Sequence, residues 1–527
     1  MKQTMKHQSL LSGIKSLGIM LSLGLALASC TKDDVAQNPA TPNEEENKNL
    51  TTFVAGGENK TRTSMDYNSG DFYWEAGDYI YVKDDDGVLQ KSTNAPDQKV
   101  ASFNYKVPGK FTASSSYKIY YFGKNSSNNQ VVIPSAQSQS TPNNTEHFGV
   151  SGDYGTATAK KVTGKNQFVF ELEHQAAYLV FHPYVSNTLL QNCYLTKIEV
   201  SSDNDIASTY TLSASTGTLQ SVNTGAEADK EIILSTKGSG TYANGFPLNT
   251  ASDNVAVNGA YMVIKPGTHT LKVRYWLKDV STGIEGTVTK AFKAFNYDVN
   301  NYYDIDGNLN IRDYDGDHYY MWDAKEQYWK GHEWWSANKD QPVLNGNDNG
   351  NDPKDNNDSR WYNEGSGSSL NATQSCATLP NVNEMTWYAA YGEPRWDADE
   401  LWTTMGHLYK GGMWFKKKAV LQGEGHYNSN TAADGTDWRA TTARAEQTWP
   451  VSPSLPSAAD AGNYFYLPAL GTYAYGGLNY VGDEGVYWSS SASLWNSGSA
   501  YVLDFYSDGI DVGVYGCDAG YRVGGFE

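Results

Sequence analysis

The chain has 527 residues, a formal net charge of −19 at pH 7 and 13% aromatic residues. The acidic balance excludes nucleic acid as a partner, because phosphate binding draws on clustered Lys and Arg, and the aromatic content excludes a disordered chain. With 50 Gly, 38 Tyr and only 4 Cys, the composition suits an exported, turn-rich β protein with room for several domains.

The chain opens with Lys2, Lys6 and Lys15, then an apolar run over 17–28, then Ala28-Ser29-Cys30. Residues 1–29 therefore read as a secretory signal, too short to span a hydrocarbon layer of ~30 Å as a lasting helix. Leu27-Ala28-Ser29-Cys30 resembles the bacterial lipobox, which implies that Cys30 becomes the lipidated first residue of the mature chain. The Lys32-Asp33-Asp34 triplet resembles the export signal of Bacteroides-type lipoproteins, which implies the outer face of the cell outer membrane. Each buried acyl CH2 contributes ~0.8 kcal/mol, so several chains on Cys30 hold a protein on a bilayer without a spanning helix. Residues 30–50 read as a linker.

From 51 to about 311 the sequence is a series of short alternating or β-branched runs: TTFVA (51–55), YIYV (79–82), YKIYYF (117–122), QVVI (130–133), FVFEL (168–172), AYLVF (177–181), KIEV (197–200), YMVI (261–264) and LKVRYWL (271–277). Gly-Asp, Asn-Asp and Ser-Gly clusters separate them, and no long amphipathic helix intervenes. Such spacing predicts β-sandwiches. The stretch is generous for one sandwich, so two in tandem are expected, over 51–188 and 189–312.

Within this half, Phe72-Tyr73-Trp74-Glu75-Ala76-Gly77-Asp78-Tyr79-Ile80 resembles the W-x-x-G-D-x-I signature of Bacteroidetes fimbrillin-like (Mfa-like) proteins. VVIPSAQSQS (131–140), FELEHQAA (170–177), YMVIKPGTHTLKV (261–273) and FNYDVNNYYDIDGNLN (295–310) follow in the family's order. The resemblance implies transthyretin/Ig-like sandwiches and assembly into a fimbrium. Fimbrillin subunits are exported as lipoproteins, lose an N-terminal strand to an Arg- or Lys-specific protease and accept a strand from the next subunit. Carried over, TTFVA (51–55) is the removable strand and Lys60 or Arg62 the cut. In the motif itself, Trp74 and Ile80 are expected in a core with Gly77-Asp78 as the turn between them. His174 invites a catalytic role, but a histidine between strands reads as a hydrogen-bonded structural residue.

The second half differs. Of the 15 Trp, only Trp74 and Trp276 precede residue 310. NGNDNGNDPKDNND (345–358) has nothing to bury but Pro353 and reads as an exposed loop; no Glu stands where a calcium loop needs its bidentate ligand. A short helix is expected over 379–388, capped by Asn381 or Asn383. The tail from 485 reads as successive hairpin strands with a turn at Ser507-Asp508-Gly509. C-x-x-L-P-x-x-x-E-M-x-W (376–387), FYLPALG (465–471), YWSSS (487–491) and GYRVGGF (520–526) resemble the C-type-lectin-like fold of bacterial domains related to formylglycine-generating enzymes and to Fibrobacter major paralogous domains. The resemblance implies an α+β domain over 313–527 and a disulfide between Cys376 and Cys517, which an extracytoplasmic site permits. Cys193 is left as a free thiol.

No G-x-S-x-G, H-E-x-x-H or Walker pattern occurs, and no reactive cysteine pair stands near the end of the chain, so no catalytic residue, cofactor or metal is expected. Glu393-Pro394-Arg395 and Trp495-Asn496-Ser497 miss the calcium-dependent sugar motifs. Trp488, Trp495, Asp504 and Asp508 are candidate ligand residues because they belong to the hairpin region that bears ligand loops in lectin-like folds. The expected protein is mainly β and not an enzyme: a minor, tip subunit of a surface fimbria, partnered by other fimbrial subunits, by a host or microbial glycan or protein, and by the outer membrane through Cys30. A membrane-retained fimbrial anchor is the alternative; a carbohydrate-active or oxidative enzyme is the third reading.

Overall fold

The strand Leu50–Ala55 alternates inward and outward side chains: Thr51, Phe53 and Ala55 are buried and those between them are not. The computed structural model describes residues 5–9, 50–56, 64–67, 71–124, 130–213, 219–222, 226–346, 350–365 and 371–527. The protein is mainly β, with 42% strand and 8% helix. Among the described residues no helix is long and apolar enough to cross a membrane.

The first sheet runs, in spatial order, through Leu89–Lys91, Tyr81–Lys83, Ser116–Tyr121, Gly155–Lys161, Gln167–Phe170, Leu50–Ala55 and Phe103–Pro108. Its two ends approach each other: Thr93 N–H donates to Lys106 O (2.7 Å) and Lys106 N–H donates to Asn94 Oδ1 (2.7 Å). The sheet thus rolls around one core, in which Trp74, Tyr105, Ile119, Tyr121, Phe168 and Phe170 are prominent. The W-x-x-G-D-x-I segment fits the expectation. Trp74 and Ile80 are fully buried, Gly77 has φ of +82° that favours glycine, and the buried Asp78 carboxylate accepts Glu75 N–H (2.7 Å) and Tyr121 O–H (2.9 Å).

The next unit consists of two facing sheets. One contains Ala260–Ile264, Ala177–Tyr184 and Asn301–Asn308, with Met5–Ser9 antiparallel on its outer edge. The other contains Ala136–Ser138, Glu231–Ser235, Cys193–Ser202, Gly267–Asp279 and Glu285–Tyr297. Leu179, Phe181, Met262 and Ile305 meet Ile198, Val200, Val273 and Tyr275 between them. The outer face of the first of these sheets is covered as well, Tyr178, Val180, Tyr261 and Val263 packing against Met65, Phe72 and Phe148. That two-sided cover explains why AYLVFHP (177–183) is buried throughout and reads as a continuous apolar run.

The units join differently from the 188/189 division expected from sequence. The first sheet ends at His174, and Ala177–Tyr184 already pairs in parallel with Asn301–Asn308. Residues 136–138, from within the first stretch, pair in parallel with 233–235. The chain is interleaved because both faces of 177–184 need cover, which one unit alone does not supply.

The C-terminal unit has a sheet ordered Tyr319–Tyr320, Tyr521–Arg522, Gly485–Ala492, Ser499–Tyr506, Gly509–Gly516 and Gln447–Pro450. A second layer, Arg395–Thr404, His407–Lys416 and Tyr464–Pro468, continues the preceding sandwich through the pairing of Glu400 with Thr287. The helix occupies Val382–Tyr391, shifted three residues from expectation, because Asn381 builds a capping box: its side chain accepts Glu384 N–H (3.1 Å) while Glu384 Oε2 accepts Asn381 N–H (2.8 Å). Val382, Met385, Tyr388 and Ala389 face the core at helical spacing. The loop over 345–358 is not exposed throughout, since Asp352 and Pro353 are buried. Arg360 folds the segment inward, donating to Tyr328 O (3.2 Å) and Asn351 O (3.0 Å).

Candidate assembly strand and ligand-facing surface

Leu50–Ala55 lies inside the first sheet, parallel to Gln167–Phe170 on one side and antiparallel to Phe103–Pro108 on the other. Phe53 stacks on Phe168 with ring centroids 5.1 Å apart and meets Phe111 edge-on at 5.1 Å. A strand in this position supplies hydrogen bonds to both neighbours and plugs apolar pockets, so its departure would leave a gap between Gln167–Phe170 and the last strand, Phe103–Pro108. Cys30, Lys60 and Arg62 lie outside the described residues. His174, buried, bonds Asp153 Oδ1 at 2.9 Å, and Tyr178 O–H donates to the same oxygen at 2.6 Å. That is a packing role.

The hairpin region of the C-terminal unit separates the candidate ligand residues. Trp488 is a core residue: it is fully buried, and its indole N–H donates to Tyr320 O (2.7 Å). Asp504 is also buried and accepts Tyr515 O–H (2.7 Å). Burial raises the Asp504 carboxyl to about 6 and, with the charge of Asp504 next to it, Glu484 to about 7. Both positions are corrections to a ligand-facing role. The alternation of the strands Gly485–Ala492 and Ser499–Tyr506 does not mark them as buried, because both faces of the pair are covered.

Trp495 and Asp508 are on the surface. Trp495 is 37% exposed with the Arg444 guanidinium 5.9 Å from its ring centre. Asp508 lies in the tight turn between Ser499–Tyr506 and Gly509–Gly516, as read from sequence. The two occupy loops at opposite ends of Ser499–Tyr506, about 24 Å apart at 3.4 Å per residue. They do not form one site.

Sequence reasoning missed the most exposed rings. Tyr475 (85%) sits in the turn of the hairpin of Thr472–Ala474 with Gly477–Asn479 and Tyr480 (61%) follows its second strand; both adopt positive φ, 50° and 61°. The Gly476-Gly477 pair within AYGGLNY (474–480), a turn signal whose turn residues are Tyr475 and Gly476, could have found them. Leu344, 54% exposed, belongs to the segment that docks on this hairpin through Leu478 N–H to Gly346 O (3.1 Å).

Cys376 and Cys517 are both buried thiols here, in one apolar cluster with Trp322 and Trp488. Trp322 N–H donates to Cys517 O (2.9 Å), and the next residue, Asp323, donates its N–H to Cys376 Sγ (3.3 Å). Burial pushes the Cys376 thiol up to about 12 and the Cys517 thiol in the same direction. Cys193 is buried and free. Among the described residues no group of three or more His, Cys, Asp or Glu is placed to hold a metal ion.

No protein-family model matches the chain, and no curated protein matches it. Solved structures give weak likenesses. A candidate cell adhesion protein of Bacteroides ovatus is 13% identical, with 49% of this chain and 91% of that one covered and a TM-score of 0.31. The fimbrial anchor protein Mfa2 of Porphyromonas gingivalis is 14% identical over 45% of this chain and 80% of its own, with a TM-score of 0.21. A fimbrial protein of Bacteroides ovatus is 9% identical over 89% of this chain and 97% of its own, with a TM-score of 0.23. Scores of this size assign neither fold nor role.

Proposed function

We propose that this chain is a non-enzymatic surface lipoprotein of the fimbrillin-like type and a minor subunit at the tip of a fimbria. Lipid on Cys30 places it on the outer membrane, and cleavage after Lys60 or Arg62 releases the strand Leu50–Ala55. A strand from a neighbouring subunit then pairs with Gln167–Phe170 and Phe103–Pro108 in its place. The transthyretin/Ig-like sandwiches join the fibre, and the C-type-lectin-like unit over 313–527 is the adhesive head for a host or microbial glycan or protein.

The observation that carries this reading is the placement of Leu50–Ala55: it is held between two strands, next to the last strand of its sheet, and the chain leaves it C-terminally through the segment that contains both basic cleavage candidates. A second feature agrees with it. Removal of residues 1–29 takes Met5–Ser9 from the outer edge of Asn301–Asn308, leaving backbone groups there for another strand. The test is N-terminal sequencing of protein recovered from the cell surface, together with gold labelling of intact cells. Chains starting after Lys60 or Arg62, with label at fibre ends, support the reading. Chains starting at Cys30, absent from fibres, overturn it.

The alternative is a membrane-retained anchor. Both readings have Leu50–Ala55 in its sheet before processing; an anchor keeps it there. In that case the label stays at the cell surface.

A further inference from the structure

Where the second sandwich meets the C-terminal unit, the surface folds into a cavity of about 550 Å³, within the range of small-molecule sites. Strands Gly267–Asp279 and Glu285–Tyr297 form one wall; Trp414, Tyr464 and the segment 455–463 form the other. In a chain of net charge −19, this lining is reversed in sign. Lys272, Arg274, Lys293 and Lys417 line it, against Asp397 as its one acid.

The charges are not matched within the cavity. Asp397 is already committed, accepting Arg274 Nη2–H (2.8 Å), Trp414 Nε1–H (3.1 Å) and Asp399 N–H (3.1 Å). Lys272 and Lys417 donate only to neutral carbonyls, Pro456 O (2.8 Å) and Gly462 O (2.7 Å). Lys293 is exposed at the rim. Both hydrogen bonds of the buried Arg274 guanidinium leave from Nη2, and its Nε has no acceptor among the described residues. Burial first, and then the neighbouring Arg274 charge, push the Lys272 amine down, against the pull of Glu199, Asp397 and Glu231. A cleft of one sign with low-dielectric walls concentrates ligands of the other sign. The half-buried Trp414 ring offers a flat apolar face with a polar edge, and Thr270, Thr289 and Asn463 offer hydroxyl and amide partners.

We infer that this cavity is a binding site for an acidic saccharide, the carboxylate or sulfate held by the Lys272, Lys293 and Lys417 amines and the sugar ring laid against Trp414. As the ligand of an adhesive head it rests on the function proposed above, and it moves the contact from the terminal hairpins to the junction between units.

Calorimetric titration of the full chain with sialyllactose, a heparin-derived disaccharide and neutral lactose tests this. At least one acidic sugar is expected to bind roughly tenfold tighter than lactose, and binding should weaken as salt rises toward molar concentration. Lys293→Glu, at an exposed position, and Lys417→Glu should each lower affinity about tenfold with an unchanged unfolding midpoint. The arm that binds tells a carboxylated from a sulfated glycan. Silence from both acidic sugars, equal binding of lactose, or full affinity in Lys293→Glu and Lys417→Glu overturns the inference. None of those results touches assembly, which is judged on the processed N-terminus.

Discussion

Arg274 and Asp397 meet at 2.8 Å across the junction between the second sandwich and the C-terminal unit, with side chains 8% and 2% exposed. Their neighbours continue the seam. Glu400 Oε2 accepts Thr287 O–H (3.0 Å) and Thr289 O–H (2.6 Å), and Glu400 Oε1 accepts Thr289 N–H (3.0 Å). A seam this buried makes the two units unfold together rather than swing on a linker. Removing one partner from a buried ion pair strands the other, at a cost of ~3–5 kcal/mol. Asp397→Ala is therefore expected to lower unfolding stability by about that much, whereas replacing Arg274 and Asp397 together by Met and Leu should cost markedly less. Denaturant titration of the two single variants and the double variant gives the answer; additive losses would mean that the pair does not couple the units.

The opening strand makes a second prediction. Phe53 is fully buried against Phe111 and Phe168, so Phe53→Ala should cost ~3–5 kcal/mol in the uncleaved chain. If the strand is released on processing, the same substitution should have no effect on stability of the cleaved protein. Thermal melts of both forms separate a removable strand from a permanent one: an equal loss in each means that the strand stays.

What the sequence carried depended on how local the physics was. The Trp74–Ile80 segment was legible because its turn, its buried ring and its carboxylate lie within one short stretch, and the helix cap was legible as far as Asn381 or Asn383 because a cap spans one helical turn. The turn at Ser507-Asp508 was legible for the same reason. The switch of sheets after His174 was not, since the partners of Ala177–Tyr184 lie at Asn301–Asn308, beyond any periodicity. Nor was the difference between buried Trp488 and exposed Trp495, both in one hairpin, where the deciding cover comes from Tyr320 and Tyr521. The Arg274–Asp397 seam and the cavity beside it unite residues far apart in the chain and leave no local signature.

Stability should depend on pH through carboxyls held in opposite directions. Burial raises Glu400 to about 7, with the charge of Asp397 adding to it, and raises Glu484 to about 7 and Asp504 to about 6. Unfolded carboxyls titrate near ~4, so these three hold protons more tightly when folded; their contribution is complete below pH ~4 and is lost as pH rises through about 6–7. Glu393, hydrogen-bonded by Lys416, and Asp437, hydrogen-bonded by Arg439, are held down to about 2. Their contribution is lost only as pH falls from ~4 toward 2. The unfolding midpoint is thus expected to peak near pH ~5 and to fall toward pH ~7.5, with Glu400→Gln flattening the upper limb. A midpoint that rises steadily to neutral pH would refute the raised group.

The C-terminal cysteines predict a redox effect. Cys376 and Cys517 share a buried cluster, and consecutive residues, Trp322 and Asp323, bond to the second and the first of them. We propose that they pair in the oxidising exterior. In the chain-entropy model a loop of this length adds about 5 kcal/mol. Peptide mapping without reduction, after alkylation in denaturant because burial disfavours both thiolates, should recover the 376–517 linked peptide. Alkylated Cys376 from exported protein would rule the pairing out.

Tyr475 offers a test in which stability and binding move apart. Its ring is 85% exposed while its backbone sits at φ of 50°, a region that costs a residue with a Cβ roughly 1–2 kcal/mol relative to the right-handed well. Packing does not repay that strain, because the ring touches little. Tyr475→Gly relieves it and is expected to raise stability by up to ~1 kcal/mol, the remainder being offset by the entropy glycine gains on unfolding. An exposed aromatic kept on a strained turn suits a contact surface, so adhesion of the full chain to immobilised glycans or cells should drop in the same variant. Tyr475→Asn controls for the backbone, since Asn tolerates this conformation and lacks the ring. If Tyr475→Gly and Tyr475→Asn both adhere as well as the parent, the hairpin is a structural edge and contact lies elsewhere on the head.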